Sequence, residues 1–238
     1  INGIHRVQIL DPAVGTGTFI SKVIRIIYER ILKKGQKGSW PAYVHHDLLP
    51  RLHGFELMMA PYTIAHLKLS MAFEKTGFKY FSQRLGIYLT NSLEESAVQK
   101  SLFTGFGFAE SIAEESKQAS VIKNKTPIMV VVGNPPYSGV SSNETDYANS
   151  LVERYKVEPG GFQKLQERKN WLNDDYVKFI AFAESMIEKN GEGIMAMITN
   201  HGYIDNPTFR GMRWHLATTF NKIYILDLHG NAKKKEIS

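Results

Sequence analysis

The sequence predicts an α/β protein in which a doubly wound, mostly parallel sheet carries helices on both faces. Short apolar runs rich in β-branched residues alternate with longer segments of helical periodicity, as expected for strands joined by crossover helices. Turns containing glycine, proline or asparagine follow several of these runs, where the chain leaves a buried strand. A chain of 238 residues with 43% apolar content is long enough to bury the core of one such domain, residues 1–238.

Six apolar runs are predicted to form the strands. They are short and bounded by polar turns, which is typical of strands buried in a parallel sheet. In chain order the predicted strands are Val7–Leu10, Leu52–Glu56, Gly86–Leu89, Pro127–Val132, Ile194–Ile198 and Ile223–Leu228.

Five segments with helical periodicity separate these strands. The first has one apolar face, formed by Phe19, Ile20, Val23, Ile24, Ile27 and Ile31. Pro61 suits the first turn of the second helix, and Asn206 with Pro207 suits the start of the last. The predicted helices are Thr18–Lys34, Pro61–Phe73, residues 108–122, Tyr176–Ile187 and a helix ending at Phe220.

One long polar segment, residues 138–173, interrupts this alternation. Long loops in compact domains are usually functional or disordered. Because the segment directly follows a candidate catalytic turn, we expect a lid or an insertion that faces the substrate. A solvated insertion with no role is the alternative.

Composition narrows the class of protein and its partners. The net charge of +6 favours a polyanionic partner, although charge alone is weak support. The absence of cysteine excludes disulfides and thiolate metal sites and favours a reducing cytoplasm. No apolar stretch reaches the length that spans a membrane, so we expect no membrane contact. The chain begins without methionine and ends near the run Lys233–Lys235, so we expect a fragment, truncated at both ends.

A glycine-containing turn links the first predicted strand to the first helix. Gly15 and Gly17 permit a tight turn in which backbone N–H groups can approach a ligand, and Asp11 stands just before it. The dinucleotide pattern Gly-x-Gly-x-x-Gly is broken because Ile20 occupies the third glycine position, and the lysine of a phosphate-binding loop is absent. A glycine turn that serves packing alone fits poorly with the adjacent carboxylate.

Polar side chains also follow three other predicted strands. Glu56 ends the second strand, where a carboxylate can accept both hydroxyls of a ribose. Asn91, Ser92 and Leu93 follow the third strand, where an amide can bond an adenine edge and an apolar side chain can pack on its face. A glutamate or an asparagine is common at a strand end for structural reasons alone. Parallel strands, however, bring Asp11, Glu56, Asn91 and Asn134 together at one edge of the sheet.

The most informative turn is the one after the fourth strand, which reads Asn134, Pro135, Pro136 and Tyr137. The prolines fix φ and remove backbone donors, so the turn is stiff and holds one amide in place. Turns of this kind occur in methyltransferases that act on planar, weakly nucleophilic nitrogens. With the glycine turn and the stretches Phe55–Glu56, Asn91–Leu93 and Asp175–Phe179, the chain resembles the S-adenosylmethionine-dependent N6-adenine DNA methyltransferases, with the motif order of the gamma group.

The stretches Leu57–Tyr62 and Leu228–Asn231 are similar to the methyltransferase part of large single-chain restriction-modification enzymes. The resemblance implies a Rossmann-like methyltransferase fold, S-adenosyl-L-methionine as cofactor and double-stranded DNA as partner. It also implies flanking nuclease or helicase domains and a target-recognition domain that this chain lacks.

The resemblance assigns roles to individual residues. The turn around Gly15 and Gly17 would bound the methionine part of the cofactor, with Asp11 near its amino group, Glu56 at the ribose, and Asn91 and Leu93 at the adenine. Many relatives have aspartate where this chain has Asn91. The cofactor-binding set is Asp11, Pro12, Ala13, Gly15, Gly17, Thr18, Phe19, Glu56, Leu57, Asn91, Ser92 and Leu93, and the catalytic set is Asn134, Pro135, Pro136 and Tyr137.

In this reading, Asn134 and the Pro135 carbonyl accept the two N–H bonds of the target amine, and Tyr137 stacks on the flipped base. Tyr137 packed in the core is the alternative. Other substrates of the same turn are a glutamine amide of release factors and a base in RNA. A noncatalytic DNA-binding module that keeps the cofactor fold is a further alternative. His45, His46 and His53 lack partners at metal-ligand spacing, and we expect no metal.

Overall fold

The sheet of the protein has five parallel strands. A computed structural model describes residues 5–95, 107–137, 141, 143–166 and 170–228, with backbone alone for 107–110. Its strands are β1 (Gln8–Asp11), β2 (Leu52–Glu56), β3 (Ile87–Leu89), β4 (Ile128–Gly133) and β5 (Ile194–Met197), arranged in the order β3-β2-β1-β4-β5. The predicted α/β fold class is therefore confirmed.

Eight α-helical segments are present among the described residues. The long helices lie where the periodicity predicted them, and the short ones were not predicted. The helices are α1 (Thr18–Lys33), α2 (Trp40–Tyr43), α3 (Met59–Glu74), α4 (Gly107–Lys125), α5 (Asp146–Glu153), α6 (Asp175–Asn190), α7 (Gly202–Asp205) and α8 (Arg210–Thr219). None of the helices in the described part of the chain is both long and apolar enough to cross a membrane.

Helices cover both faces of the sheet because successive strand residues point to opposite sides. Ile9 of β1 belongs to a buried cluster that also contains apolar residues of α1 and α3. Its neighbour Leu10 belongs to a second cluster with residues of α4, α5, α6 and α8. The helices thereby shield both faces, and the ligand-accessible region of such a sheet is its carboxyl edge.

The prediction of a sixth strand at Ile223–Leu228 is wrong, because the structure forms no strand there. Residues 222–228 run outside any regular element, with Tyr224 and Leu226 more than four-fifths exposed. Asp227 makes an ion pair with His201, which follows β5, at 3.7 Å. A run of apolar, β-branched residues has strand propensity, but a strand also needs a neighbour for its backbone hydrogen bonds, and no strand in the described ranges pairs with this run.

The segment predicted as a lid or substrate-facing insertion contains regular structure. Helix α5 starts at the Thr145 cap, whose side chain accepts from the backbone N–H of Ala148 at 3.1 Å, and it packs on α6. Tyr155 is fully buried and donates its hydroxyl to Glu184 at 2.7 Å. Residues 145–158 are thus a packed part of the domain, whereas residues 159–164 are exposed, and the substrate-facing role remains a prediction.

Candidate active site

The candidate site lies where the strand order reverses. Strands β1 and β4 are neighbours, but the chain continues from β1 towards β2 on one side and from β4 towards β5 on the other. In open parallel sheets, ligands bind beyond the carboxyl ends of the strands at such a point. Asp11 ends β1, and Asn134 directly follows β4, so the structure brings the first residues of the two predicted motifs to the two sides of this point.

Asp11 is a fully buried carboxylate with one oxygen left for a ligand. Its Oδ1 accepts from the backbone N–H of Ala13 at 3.2 Å. Its Oδ2 is buried and has no hydrogen-bond partner among the residues that the structure describes. Burial raises the pKa of Asp11 to about 7, and nearby Glu56 adds to the rise. A buried acceptor without a partner costs stability, so a cationic or donor group placed there would be strongly favoured.

The turn after Asp11 is built from one anchored residue and two glycines with positive φ. The N–H of Val14 donates to the Phe55 carbonyl at 2.9 Å, and the Val14 side chain packs in the core. Gly15 has a φ of 53°, and a Cβ added there would meet no atom within 4 Å. Gly17 has a φ of 79° and lies against Leu69, so it serves packing as well as the turn. The turn therefore exposes backbone at Gly15 and is held rigid on both sides.

The Glu56 carboxylate closes this turn from the neighbouring strand. Its Oε2 accepts from the N–H of Gly15 at 2.9 Å, and its Oε1 accepts from the N–H of Met58 at 2.9 Å. A carboxylate offers about four acceptor positions, so each oxygen of Glu56 can accept one further hydrogen bond. The next residue, Leu57, is exposed beside it. Thr18 and Phe19, at the start of α1, complete this side of the site, where Thr18 accepts from Lys68 at 2.9 Å.

The turn after β3 folds back on the glycine turn. The Ser92 hydroxyl donates to the carbonyl of Pro12, which links the two turns. Asn91 uses its Oδ1 to accept from the N–H of Leu93 at 2.9 Å. The Leu93 side chain is fully buried in the core directly after this turn. Its predicted contact with an adenine ring stays a prediction.

Asn134 is exposed at the end of β4, directly after Gly133, a position where a larger residue would crowd Asp11. A Cβ added to Gly133 would lie 3.0 Å from Asp11 Oδ1, and the Gly133 carbonyl accepts from the N–H of Ile198 at 3.0 Å. Pro135 is buried, whereas Pro136 is exposed and Tyr137 is half-exposed. The Tyr137 ring is therefore not packed in the core, and the turn after Gly133 presents an exposed amide and an aromatic face at the carboxyl edge of the sheet.

Sequence reasoning missed a hydrogen-bonded group that connects this edge to α6. The Asn91 amide donates to Asn143 Oδ1 at 2.9 Å, and Asn143 donates to Asp175 Oδ1 at 3.0 Å. Ser141 also donates to Asp175, and the nearly fully buried Lys178 donates to Ser141 Oγ at 2.9 Å and to the Asn143 carbonyl. A signal existed in the sequence: Lys178 interrupts the apolar run Tyr176–Ala183, where a buried lysine needs hydrogen-bond partners, and Asp175 stands three residues before it on the same helix face.

A second buried lysine holds the same turn from the other side. Lys123 of α4 donates to the carbonyls of Asn91 and Glu94 at 2.6 and 3.1 Å. Burial lowers the pKa of Lys123 to about 8, with Glu94 opposing the shift. Its ammonium also lies 5.5 Å from the centre of the Phe55 ring. The turn after β3 is therefore fixed by two helices that come much later in the chain, which no local pattern could predict.

Among the described residues, one other cluster has the composition of a metal site. Glu184, Glu188 and His215 bring ligand atoms within 4.8 Å of one another. Arg154 lies 2.6 Å from Glu188, and Glu184 already accepts from Tyr155 and contacts His215 at 3.0 Å. The cluster thus joins α5, α6 and α8 through internal contacts and contains its own cation. His53 is buried against Gln8 at 2.7 Å, and burial lowers its pKa to about 4.

The chain and its fold are similar to those of known restriction-modification proteins. The model of the family described as "Eco57I restriction-modification methylase" matches residues 51–233. Among solved structures, the ATP-dependent Type ISP restriction-modification enzyme LlaBIII bound to DNA is 26% identical, with a TM-score of 0.67 over 89% of this chain. A nuclease-deletion mutant of the Type ISP enzyme LlaGI with a DNA substrate mimic is 25% identical, with a TM-score of 0.71 over 91%. The DrdV–DNA complex is 28% identical, with a TM-score of 0.63 over 92%.

This chain spans only a small part of the length of those enzymes. It spans 14% of the LlaBIII chain, 17% of the LlaGI chain and 20% of the DrdV chain. No curated protein matches the sequence.

Proposed function

Since the chain belongs to the family of Eco57I restriction-modification methylases, we propose that it transfers a methyl group from S-adenosyl-L-methionine to the N6 amine of an adenine flipped out of double-stranded DNA. The observation that carries the proposal is that Asp11 Oδ1 lies only 3.0 Å from the place where a Cβ on Gly133 would be, because this sets the predicted cofactor carboxylate close to the residue that precedes Asn134. Donor and acceptor sites that share one wall of the sheet edge suit direct transfer between two bound molecules.

The residues at this edge fit the proposed cofactor. The buried Asp11 Oδ2 suits the ammonium of the methionine part, because that cation would supply the missing partner. The free acceptor positions of Glu56 suit the two ribose hydroxyls, and the open space beside Gly15 leaves room for the ligand against the backbone. The side-chain oxygen of Asn91 suits the adenine amine, because it can accept a hydrogen bond from that amine. When bound, S-adenosyl-L-methionine supplies a methyl group already activated on a sulfonium.

The catalytic turn supplies the acceptors that the target amine needs. The exocyclic nitrogen of adenine shares its lone pair with the ring and is a poor nucleophile. We propose that the Asn134 side-chain oxygen and the Pro135 carbonyl accept its two N–H bonds, which draws the nitrogen toward tetrahedral geometry and releases its lone pair from conjugation with the ring. The residues of this turn need no strong base or metal for that step. Alignment of the reacting groups can contribute roughly 7–11 kcal/mol of the barrier reduction.

Tyr137 provides the surface on which the flipped base would stack. Half of its side chain is exposed beside Asn134, and base–aromatic stacking is worth about 1–3 kcal/mol. A base must leave the duplex for chemistry at its amine, and stacking offsets part of that cost. The net charge of +6 favours the DNA backbone in addition.

We further propose that nuclease, helicase and target-recognition parts accompany this domain in a longer chain, in the cytoplasm. The proposal is supported by the small share of the similar enzymes that the chain spans, and by the description of one of them as ATP-dependent. The recognition sequence would then be read by parts outside these 238 residues.

The direct test of the mechanism is Asn134→Ala in the protein at its natural full length. We expect binding of S-adenosyl-L-homocysteine to stay within about twofold of wild type, because Asn134 does not touch the cofactor in this proposal. Methyl transfer to DNA should fall by at least about a hundredfold, the range seen when a transition-state hydrogen-bond partner is removed. Asn221→Ala, an exposed asparagine after α8, is the matched control. Transfer near the wild-type rate would refute the role of Asn134.

A further inference from the structure

The Asn91 side chain is held in a single orientation by three hydrogen bonds. Its Oδ1 accepts from the N–H of Leu93 at 2.9 Å. Its Nδ2 donates to Glu94 Oε1 at 3.1 Å and to Asn143 Oδ1 at 2.9 Å. Both amide protons are therefore used, and Oδ1 keeps one acceptor position that no group in the described part of the chain occupies. Amide orientation is inferred from such partners, and here all three agree.

The orientation of Asn143 is in turn dictated by Asp175. An ionised carboxylate can only accept, so Asn143 must turn its Nδ2 towards Asp175, at 3.0 Å, and its Oδ1 towards Asn91. Ser141 donates to the same carboxylate oxygen, and Lys178 donates to Ser141 Oγ at 2.9 Å. The carboxylate at the first turn of α6 thus sets the direction of the two side-chain hydrogen bonds that run from it through Asn143 to Asn91.

We infer that Asp175, through Asn143, is a positioning residue that fixes the Asn91 amide with its oxygen towards the cofactor. The inference deepens the proposed function and rests on it. An acceptor at this point matches the 6-amino group of adenine, whereas a 6-oxo purine would face it oxygen to oxygen. The network thereby holds an acceptor at this point, and it makes the site selective for a 6-amino purine.

This polarity has a counterintuitive consequence for Asn91→Asp. An aspartate there would place a carboxylate oxygen against Asn143 Oδ1 and Glu94 Oε1, which now accept from the Asn91 amide. Asn143 could not turn to donate to it without setting its own oxygen against Asp175. The exchange Asn91→Asp with Asp175→Asn keeps the net charge and reverses the polarity, because Asn143 can then accept from position 175 and donate to position 91. Ser141, which donates to Asp175 in the wild type, can turn its hydroxyl to the Asn143 carbonyl, 3.4 Å away. Glu94 is exposed and can turn into solvent.

The experiment measures binding of S-adenosyl-L-homocysteine and S-inosyl-L-homocysteine to the full-length protein by calorimetry. Wild type should prefer the adenosyl compound by at least about tenfold, since an unpaired buried polar group costs roughly 1–3 kcal/mol. Asn91→Asp should weaken adenosyl binding about tenfold or more, and the double exchange should recover most of that loss. Asn143→Leu should lower the adenosyl-to-inosyl preference severalfold. The control Asn221→Asp adds the same charge at an exposed site and should change neither value.

Thermal unfolding without any nucleoside separates this inference from the proposed function. The two single exchanges should each lower the unfolding midpoint, by about 2–4 °C per kcal/mol lost, and the double exchange should lower it by less than their sum. The inference would be overturned if the Asn91→Asp variant bound the adenosyl compound as tightly as wild type. It would also be overturned if the unfolding shift of the double exchange equalled the sum of the shifts of the two single exchanges. If the unfolding shifts couple but wild type binds neither compound, the proposed function and the purine selection fail together while the hydrogen-bond polarity stands.

Discussion

Asp11→Asn should stabilise the ligand-free protein at neutral and alkaline pH while weakening the cofactor site. The carboxyl is fully buried, and one of its oxygens lacks a partner among the described residues. Asparagine has nearly the same shape and its oxygen can still accept from the N–H of Ala13. The substitution therefore removes the cost of an ionised buried group and leaves the turn intact.

The size and sign of the effect follow from the pKa of Asp11. Burial raises it from 3.8 to about 7. Below 3.8 the carboxyl is protonated in both states, so its ionisation does not affect folding. Between these pH values the unfolded chain releases a proton that the folded chain retains, and stability falls as pH rises. Above 7 the loss reaches a plateau of about 4 kcal/mol, of which about 2.5 kcal/mol appears between pH 5 and 8.

The assay is urea unfolding of wild type and Asp11→Asn across pH 5 to 8 without cofactor. The difference in free energy of unfolding should grow in favour of the variant as pH rises. In the same range, S-adenosyl-L-homocysteine should bind wild type more tightly as Asp11 ionises, and it should bind the variant weakly at every pH. A stability difference that does not change with pH would show that Asp11 has an ordinary pKa, and the reasoning about its unpartnered oxygen would fail.

Three further substitutions test the edge of the sheet, and the two glycine substitutions each have a second glycine as control. Gly15 and Gly35 both have a positive φ, and an added Cβ would meet no atom within 4 Å at either position. Gly15→Ala and Gly35→Ala should therefore each cost about 1–2 kcal/mol of stability, measured by chemical denaturation. Only Gly15→Ala should also abolish cofactor binding, measured by calorimetry. Gly133→Ala should cost about 1–3 kcal/mol and reduce transfer of labelled methyl groups, because its Cβ would press on Asp11, while Gly38→Ala should be silent in both assays. Lys123→Met should weaken cofactor binding about five- to tenfold by calorimetry, because two carbonyls of the turn after β3 lose their donor. Equal cofactor binding by the Gly15 and Gly35 variants, equal effects of the Gly133 and Gly38 variants, or unchanged binding by the Lys123 variant would contradict the account.

The regular elements were predictable because local patterns determine them. The run Leu52–Glu56 has the bounds that the sequence indicated for its strand, and Asn206 caps its turn by accepting from Thr208 at 3.0 Å as predicted. Both depend on neighbours in sequence: an apolar run between turns, and a capping side chain before proline. The predicted helix Thr18–Lys34 differs from the observed α1 by one residue, which is within the ordinary uncertainty of helix ends.

The misses arise where distant parts of the chain decide the outcome. Ile223–Leu228 has the propensity of a strand, but pairing depends on a neighbouring strand rather than on the run itself. Leu93 is fully buried after the Asn91 turn, a depth that its strand-end position does not indicate, and its contact with an adenine stays a prediction. Asn143 and Lys123 reach the site across long separations in sequence, and nothing in their local context marks them.

The central claim, that the chain methylates adenine in DNA, is tested most directly by the product. The full-length protein would be incubated with methyl-labelled S-adenosyl-L-methionine, mixed-sequence DNA and a release factor, and the digested DNA would be analysed for labelled nucleosides. The account predicts label in N6-methyladenine and its loss in Asn134→Ala. Label in the protein acceptor, or in a DNA nucleoside other than N6-methyladenine, would contradict it.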